Sequence, residues 1–465
     1  MSAPFLLLLA TGSIALSVTV VRNRPKSSAA IAAIGSALIA VFALLVTLDE
    51  PLVVLGFPIK VSSAWSILGR ALVLDEGSRA AIGFLYLTGA FVFGAAWATK
   101  ASRNLYYIGL LSLGSIAASF MIQPFLYAAV FLEFTAMGAV LILVSPGSPI
   151  SRGGLRLLVL YTLAMMAILL AGWMLENVGV TSATPELALR ATLLLAFGFS
   201  VIMVVPPFHL WLPSAAGETN PYALAFVTVI LQSAGLFFLL RFLDNYAWLR
   251  TMPELYDGIR SVGIAMVLFG SFLVLAKKSF SKVMAYALLT DFGVMLLAVG
   301  AGTPEGFRLA LGLSAVRVVS LSVWALGLAW MLDHPAGDHL QLLRGAAHNS
   351  PLAATATLVG VMSIAGFPLT AGFPGRWGLL LALAPLDPFA GGAILLAFLC
   401  VGVTAIRWTY TLLSEPSLRE RKAISFSERL FLGAGIGMCL ILGTFPQILY
   451  PWVVEVAAGM TQLFP

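Results

Sequence analysis

Five ionisable side chains stand inside long apolar runs: Glu133 in FLEFTAMGAVLIL, Asp291 in ALLTDFGVMLL, Arg317 in LSAVRVVSLSV, Arg376 in GFPGRWGLL and Arg407 late in GVTAIRWTYTLL. A charge held in hydrocarbon costs several kcal/mol and is kept for a role or for a partner. A carboxyl group in such a place can take up and release a proton or hold a cation. An arginine there is a fixed positive charge, because it stays protonated under almost any condition. For Glu133 and Asp291 the structural alternative is a neutral acid hydrogen-bonded within a helix bundle. For Arg317 it is a partner to a nearby carboxylate. Asp291 is the expected counter-ion of Arg317 or Arg376, since an unpaired buried arginine is costly. Lys282, upstream of Asp291, is expected to join the same line of charge. Arg407 is expected to snorkel to the membrane interface.

Histidines offer less. His209 lies in VVPPFHLWLPS, where it either passes a proton near neutral pH or caps carbonyls freed by Pro206 and Pro207. His334, His339 and His348, with Asp333 and Asp338, crowd the stretch DHPAGDHLQLLRGAAHNS. They lack the helical i, i+4 spacing of a metal pair, so a solvated loop is expected there. Cys400 and Cys439 both fall in apolar runs without a second ligand at metal or cluster spacing. No metal or redox centre is expected in this chain.

The elements that must position these residues follow from composition. Of 465 residues, 60% are hydrophobic and 10% charged, with a mean hydropathy of +1.00. Soluble domains carry about 25% charged residues, so soluble dehydrogenases, hydrolases and nucleic-acid binders are excluded. The net charge of +6 is carried largely by short loops, where it sets topology rather than recruiting a polyanion.

Runs long enough to cross about 30 Å of hydrocarbon lie near 3–21, 28–47, 80–98, 104–121, 123–144, 155–175, 188–205, 221–243, 260–276, 283–301, 307–331, 352–371, 389–412 and 429–449. The expected fold is an all-α polytopic membrane protein of about fourteen transmembrane helices. The charges of the N-terminal run follow its apolar stretch, unlike those of a cleaved signal peptide, so it is read as the first spanning helix. Arg22, Arg24, Lys26, Lys100, Arg103, Arg152, Arg156, Lys277, Lys278, Lys282, Arg344, Arg419, Arg421, Lys422 and Arg429 fall on one side. The positive-inside rule makes that side cytoplasmic and puts both termini on the outer, periplasmic side of the cell membrane.

Two segments read as interrupted helices: VIMVVPPFHLWLPS, with Pro206, Pro207 and Pro213, and SIAGFPLTAGFPGRWG, with Gly366, Pro368, Gly372, Pro374 and Gly375. Proline removes a donor and clashes with the preceding turn. Broken helices at matching places in two halves are the trace of inverted repeats. The expected organisation is helices 1–3 over 1–98, a first five-helix repeat over 104–243, an inverted second repeat over 260–412, and a C-terminal loop and last helix over 413–465.

At PPFHLWLPSAAGETNPYALAFVTVILQSAGLFFLLRF the chain resembles the antiporter-like membrane subunits of respiratory complex I (the N, M and L type of NADH-quinone oxidoreductase subunit). These are related to subunits of membrane-bound hydrogenases and Mrp-type cation/proton antiporters. The shared pattern is met by Pro207, His209, Trp211, Leu212, Pro213, Pro221 and Arg241. KKSFSKVMAYALLTDFG is similar to the family's basic loop, and SPLAATATLVGVMSIAGFPLTAGFPGRWGLLLA looks most like the subunit at the quinone-side end of the arm.

The resemblance implies a mid-membrane axis of ionisable groups, with a Glu on the fifth helix paired to a Lys on the seventh, and a Lys on the eighth linked to a Lys or Glu on the twelfth. Glu133 matches the first. The seventh-helix Lys position holds Ile202, the eighth-helix position Gln232 and the twelfth-helix position Arg376; the tenth helix carries Asp291. Burial lets a lysine lose its proton, which an arginine does not do, and an amide carries no charge. Glu133 is therefore expected to lack a salt bridge within its own half.

The resemblance implies a subunit coupling electron transfer elsewhere in a complex I-like assembly to proton or sodium movement. Flavin, iron-sulfur clusters and quinone then belong to partner subunits, and the partners include sister antiporter-like subunits and the bilayer. The competing expectations are a scaffold subunit that keeps the fold with a degenerate or altered path, and an Mrp-like cation/proton antiporter subunit.

Overall fold

The computed structural model describes residues 2–49, 51–54, 57–67, 69–99, 101–144, 150–176, 185–332, 343–414 and 425–464. The helices, in chain order, are α1 (Ala3–Val20), α2 (Pro25–Leu45), α3 (Glu76–Ala96), α4 (Asn104–Met121), α5 (Ala128–Ile142), α6 (Arg152–Glu176), α7 (Pro185–Ile202), α8 (Trp211–Glu218), α9 (Pro221–Asn245) and α10 (Ala247–Arg250). They continue with α11 (Pro253–Ala276), α12 (Phe280–Gly300), α13 (Pro304–Met331), α14 (Ala346–Asn349), α15 (Pro351–Ala365), α16 (Gly372–Leu383), α17 (Pro388–Leu413), α18 (Phe426–Thr444) and α19 (Tyr450–Ala458).

Local chemistry fixes where these helices start. Proline opens α2, α9, α11, α13, α15 and α17, a position whose missing N–H is no loss. Side-chain oxygens of Asp75, Asn220, Ser279, Thr303 and Asp387 accept from first-turn amides. Ser425 and Glu428 form a reciprocal capping box at α18. Such caps matter most at a bilayer, where an unsatisfied amide has no water to turn to.

Among the described residues, ten helices are long and apolar enough to cross a membrane, which makes the chain an all-α integral membrane protein. The count differs from fourteen for local reasons. The start of α5 is delayed by an extended pair, Ile122–Gln123, and a 3₁₀ turn, Phe125–Tyr127, leaving it 15 residues. The second proline-rich segment cuts α15 short, at 15 residues. Finally, α18 and α19 form one apolar stretch bent by 97°.

A further departure is the segment between α2 and α3. It forms two antiparallel hairpins, β1 (Pro51–Val54) with β2 (Phe57–Lys60) and β3 (Ala64–Ile67) with β4 (Arg70–Val73). The second hairpin gains β5 (Ile122–Gln123) as a third strand.

Helices α9, α12 and α13 form the centre: about nine-tenths of each apolar span is buried, against a third for α1 and α11. Small residues let the helices approach, as membrane packing requires in the absence of a hydrophobic drive. A methyl group on Gly270 of α11 would stand 2.9 Å from Thr290 N of α12. One on Gly360 of α15 would stand 2.6 Å from Trp324 N of α13. These contacts set the depth of α12 and α13, the helices that carry Asp291 and Arg317.

Candidate ion-path site

Asp291 lies near the middle of α12, where only 2% of its side chain is exposed. Arg317, 2% exposed, brings its Nε within 3.3 Å of Asp291 Oδ2 from the middle of α13. Arg376 donates from its Nη2 to Asp291 Oδ1 from α16. A second Arg317 nitrogen, Nη2, donates to Gln232 Oε1 on α9. The ring of Phe292 lies 4.9 Å from the Arg317 guanidinium carbon, a cation–π distance. Four helices thus contribute to one buried row, Gln232–Arg317–Asp291–Arg376. Two guanidiniums and one carboxylate leave it with one excess positive charge. Gln232 Nε2 is buried without a hydrogen-bond partner.

The second interrupted segment positions Arg376. The chain leaves α15 through Gly366, at φ 89°, passes Leu369 at φ 67°, and re-enters a helix at Gly372. Arg376 Nη1 spans the break, donating to Ser363 O at 3.2 Å, which also accepts from Gly366 N at 3.1 Å, and to Gly372 O at 3.4 Å. Gly372 N donates to Ser363 Oγ at 3.1 Å, and Ser363 Oγ lies 2.7 Å from Ser320 Oγ of α13. A side chain at 372 is excluded, because its Cβ would fall 1.9 Å from Ser363 O.

Glu133 stands apart, half-buried on α5. Its Oε1 accepts from Thr162 Oγ1 of α6 at 2.6 Å, and its Oε2 is buried without a hydrogen-bond partner. Among the described residues no amine or guanidinium reaches ion-pair distance of it. Ile202 ends α7 fully buried and packs on α9, its Cγ2 within 2.3 Å of where a Cβ on Gly235 would be.

Two expectations are corrected. Lys282 is exposed in the first turn of α12, about 13 Å along the helix from Asp291 at ~1.5 Å per residue. It takes no part in the buried row. His209, in a 3₁₀ turn between α7 and α8, caps no carbonyl. Its ring is instead turned edge-on to Phe269 at 5.2 Å, with Tyr286 at 6.5 Å, and its Nδ1 has no partner. Arg407 reaches the C-terminus of the spanning helix α11, donating to Leu275 O at 3.1 Å and Lys277 O at 2.7 Å. There the unsatisfied carbonyls and negative dipole end favour a cation.

Asp333, His334, Asp338 and His339 lie outside the described residues, as do Lys100, Arg419, Arg421 and Lys422. His348 Nε2 lies 3.2 Å from Leu413 O. No cluster of three or more metal-ligating side chains occurs among the described residues.

Sequence reasoning missed the serines that sew the break to α13, and a second ion pair, Arg241 with Asp75 at 2.8 Å. Arg241 also donates to Ser78 Oγ at 2.9 Å. Asp75 carried one local signal, an acid just ahead of a helix; its partner comes from α9.

Residues 123–404 match the family described as NADH:quinone oxidoreductase/Mrp antiporter, transmembrane. NADH-quinone oxidoreductase subunit N of Desulfovibrio desulfuricans is 30% identical over 288 residues, covering 56% of this chain and 54% of that protein. That match spans about half of the relative's length. Among solved structures, a chain of the archaeal membrane-bound sulfane sulfur reductase superposes with a TM-score of 0.83 at 17% identity, covering 99% of this chain and 98% of that one. A chain of respiratory complex I from Thermus thermophilus superposes at 0.78 with 22% identity, covering 99% of this chain and all of the other. The family match takes in more than half of the chain and contains Glu133, Gln232, Asp291, Arg317 and Arg376, so the chain belongs to the NADH:quinone oxidoreductase/Mrp antiporter transmembrane family.

Proposed function

We propose that this chain is a membrane-arm subunit of a complex I-like assembly, in which electron transfer in partner subunits drives proton or sodium movement through the membrane. Flavin, iron-sulfur clusters and quinone belong to those partners, among them sister antiporter-like subunits. The observation that carries the reading is Asp291 held between Arg317 and Arg376 and joined through Arg317 to Gln232. Two fixed positive charges hold one titratable group at the centre of the bundle. Movement of either guanidinium changes the free energy of charge on Asp291, which is how a conformational change elsewhere becomes uptake or release of a cation.

The organisation that goes with this role is fourteen spans containing two inverted five-helix units, 104–243 and 260–412. In each unit the fourth long helix, α7 or α15, is interrupted and continued by a short one, α8 or α16. The basic loops support an orientation with both termini on the outer side. Glu133 serves as the ion-path carboxylate of the first unit.

A scaffold with an altered path is the second reading, favoured by Ile202 and Gln232, which stand where the family's first unit carries lysines. Purifying the tagged native chain in mild detergent and identifying its companions by mass spectrometry tests the assembly. Redox-active partners are expected. A chain alone, or one accompanied by small membrane subunits only, overturns the redox-coupled reading in favour of an Mrp-like antiporter.

A further inference from the structure

A cavity of about 130 Å³ adjoins the charged row, between the break after α15, helix α12 and helix α17. Asp291 and Arg376 form its inner end; Phe373, Trp377, Leu395 and Phe398 are among the apolar residues of its walls. Trp377 is 49% and Leu395 48% exposed, so the cavity reaches the outward apolar surface of the bundle between α16 and α17. Its volume suffices for several waters or for the polar end of a chain molecule.

We propose that this cavity is a binding site for the carboxylate end of a single-chain amphiphile such as a long-chain fatty acid. The charge of the inner end selects an anion. Two guanidiniums share one carboxylate, and among the described residues no second carboxylate reaches ion-pair distance of either. In a low-dielectric site that excess positive charge attracts an anion strongly. Arg376 is the member that can receive it, with 10% of its side chain exposed against 2% for Asp291 and Arg317. A planar guanidinium matches a carboxylate in shape as well as charge. The route selects the amphiphile: entry is through an apolar mouth on the outward face of the spanning helices, where a small hydrated ion meets a desolvation barrier and an alkyl chain meets none. The carboxylate sits against Arg376 and the chain lies along Trp377, Leu395 and Phe398. This site does not depend on the ion path, because its test reads binding and not transport.

The test uses the purified native assembly containing the full chain, in nanodiscs of neutral phosphatidylcholine, with a palmitate analogue carrying a diazirine near its carboxyl end. After irradiation and peptide mapping, label is expected on residues 372–401. Laurate should compete, and dodecyltrimethylammonium should not. Arg376→Gln, which removes the charge, and Leu395→Trp, which fills the mouth and leaves every charge in place, should each lower labelling about tenfold, equivalent to ~1.4 kcal/mol. The proposal is overturned if label spreads evenly over the outward helices, if Leu395→Trp labels as the parent does, or if sodium chloride displaces the probe as well as laurate does.

Discussion

Arg376 meets Asp291 within the first turns after the chain resumes its helix at Gly372, so the break and the ion pair are one construction. Ser363 O, which accepts from Gly366 N in the last turn of α15, also accepts from the same guanidinium that holds the carboxylate.

Removing one member of a buried pair leaves a charge uncompensated, at a cost of about 3–5 kcal/mol, whereas removing both members often costs little. Asp291→Asn is expected to lower the SDS-unfolding midpoint sharply, and Asp291→Asn combined with Arg376→Gln to recover only part of the loss, because Arg317 stays without a counter-charge. Equal midpoints for Asp291→Asn and the parent would mean that the pair contributes no stability.

Gln232→Leu takes away the acceptor of a buried guanidinium hydrogen bond. The expected cost is about 1–3 kcal/mol, while Gln232→Glu, which retains an acceptor and adds a counter-charge, is expected to be tolerated. Unfolding midpoints of the two variants in the same detergent separate a hydrogen-bond role from simple volume filling.

Gly372 and Gly392 give opposite expectations for the same substitution. A Cβ at 372 meets Ser363 O at 1.9 Å, whereas one at 392 meets nothing within 4 Å. Gly372→Ala should abolish accumulation of the folded chain in membranes. Gly392→Ala, in the interior of α17, should stabilise it by about 0.5–1 kcal/mol. Comparable expression of both variants would contradict the close packing at the break.

The C-terminal arm is held at its end by Asp244, whose Oδ1 accepts from Gln462 N at 2.8 Å and Leu463 N at 3.0 Å. Trp452 Nε1 donates to Ala80 O at 3.0 Å. Asp244→Ala should loosen Gln462 and Leu463, seen as faster hydrogen exchange of their amides, with α19 retained through Trp452.

The helices were legible because an apolar run has one way to satisfy its backbone in a bilayer. The Asp291–arginine pairing was legible because a buried arginine demands a partner, and few acids lie in apolar runs. Depth and facing were not. Lys282 shares a helix with Asp291 but begins it, at the solvent end. His209 turns to Phe269 and Tyr286, which come from helices later in the chain, so nothing beside it in sequence pointed to an aromatic pocket. The hairpins between α2 and α3 were missed because their strands are four residues long, too short for an alternating pattern to register. Ser320 and Ser363 are ordinary helix serines in sequence, and only the break makes them neighbours.

The most direct test of the account is ion flux per electron in proteoliposomes holding the purified native assembly, with Asp291→Asn and Arg317→Gln combined in this chain. The pair of substitutions preserves the net charge of the row and removes its titratable group. Intact assembly and electron transfer with fewer ions moved per electron than the parent are expected; an unchanged ratio would leave the chain as scaffold.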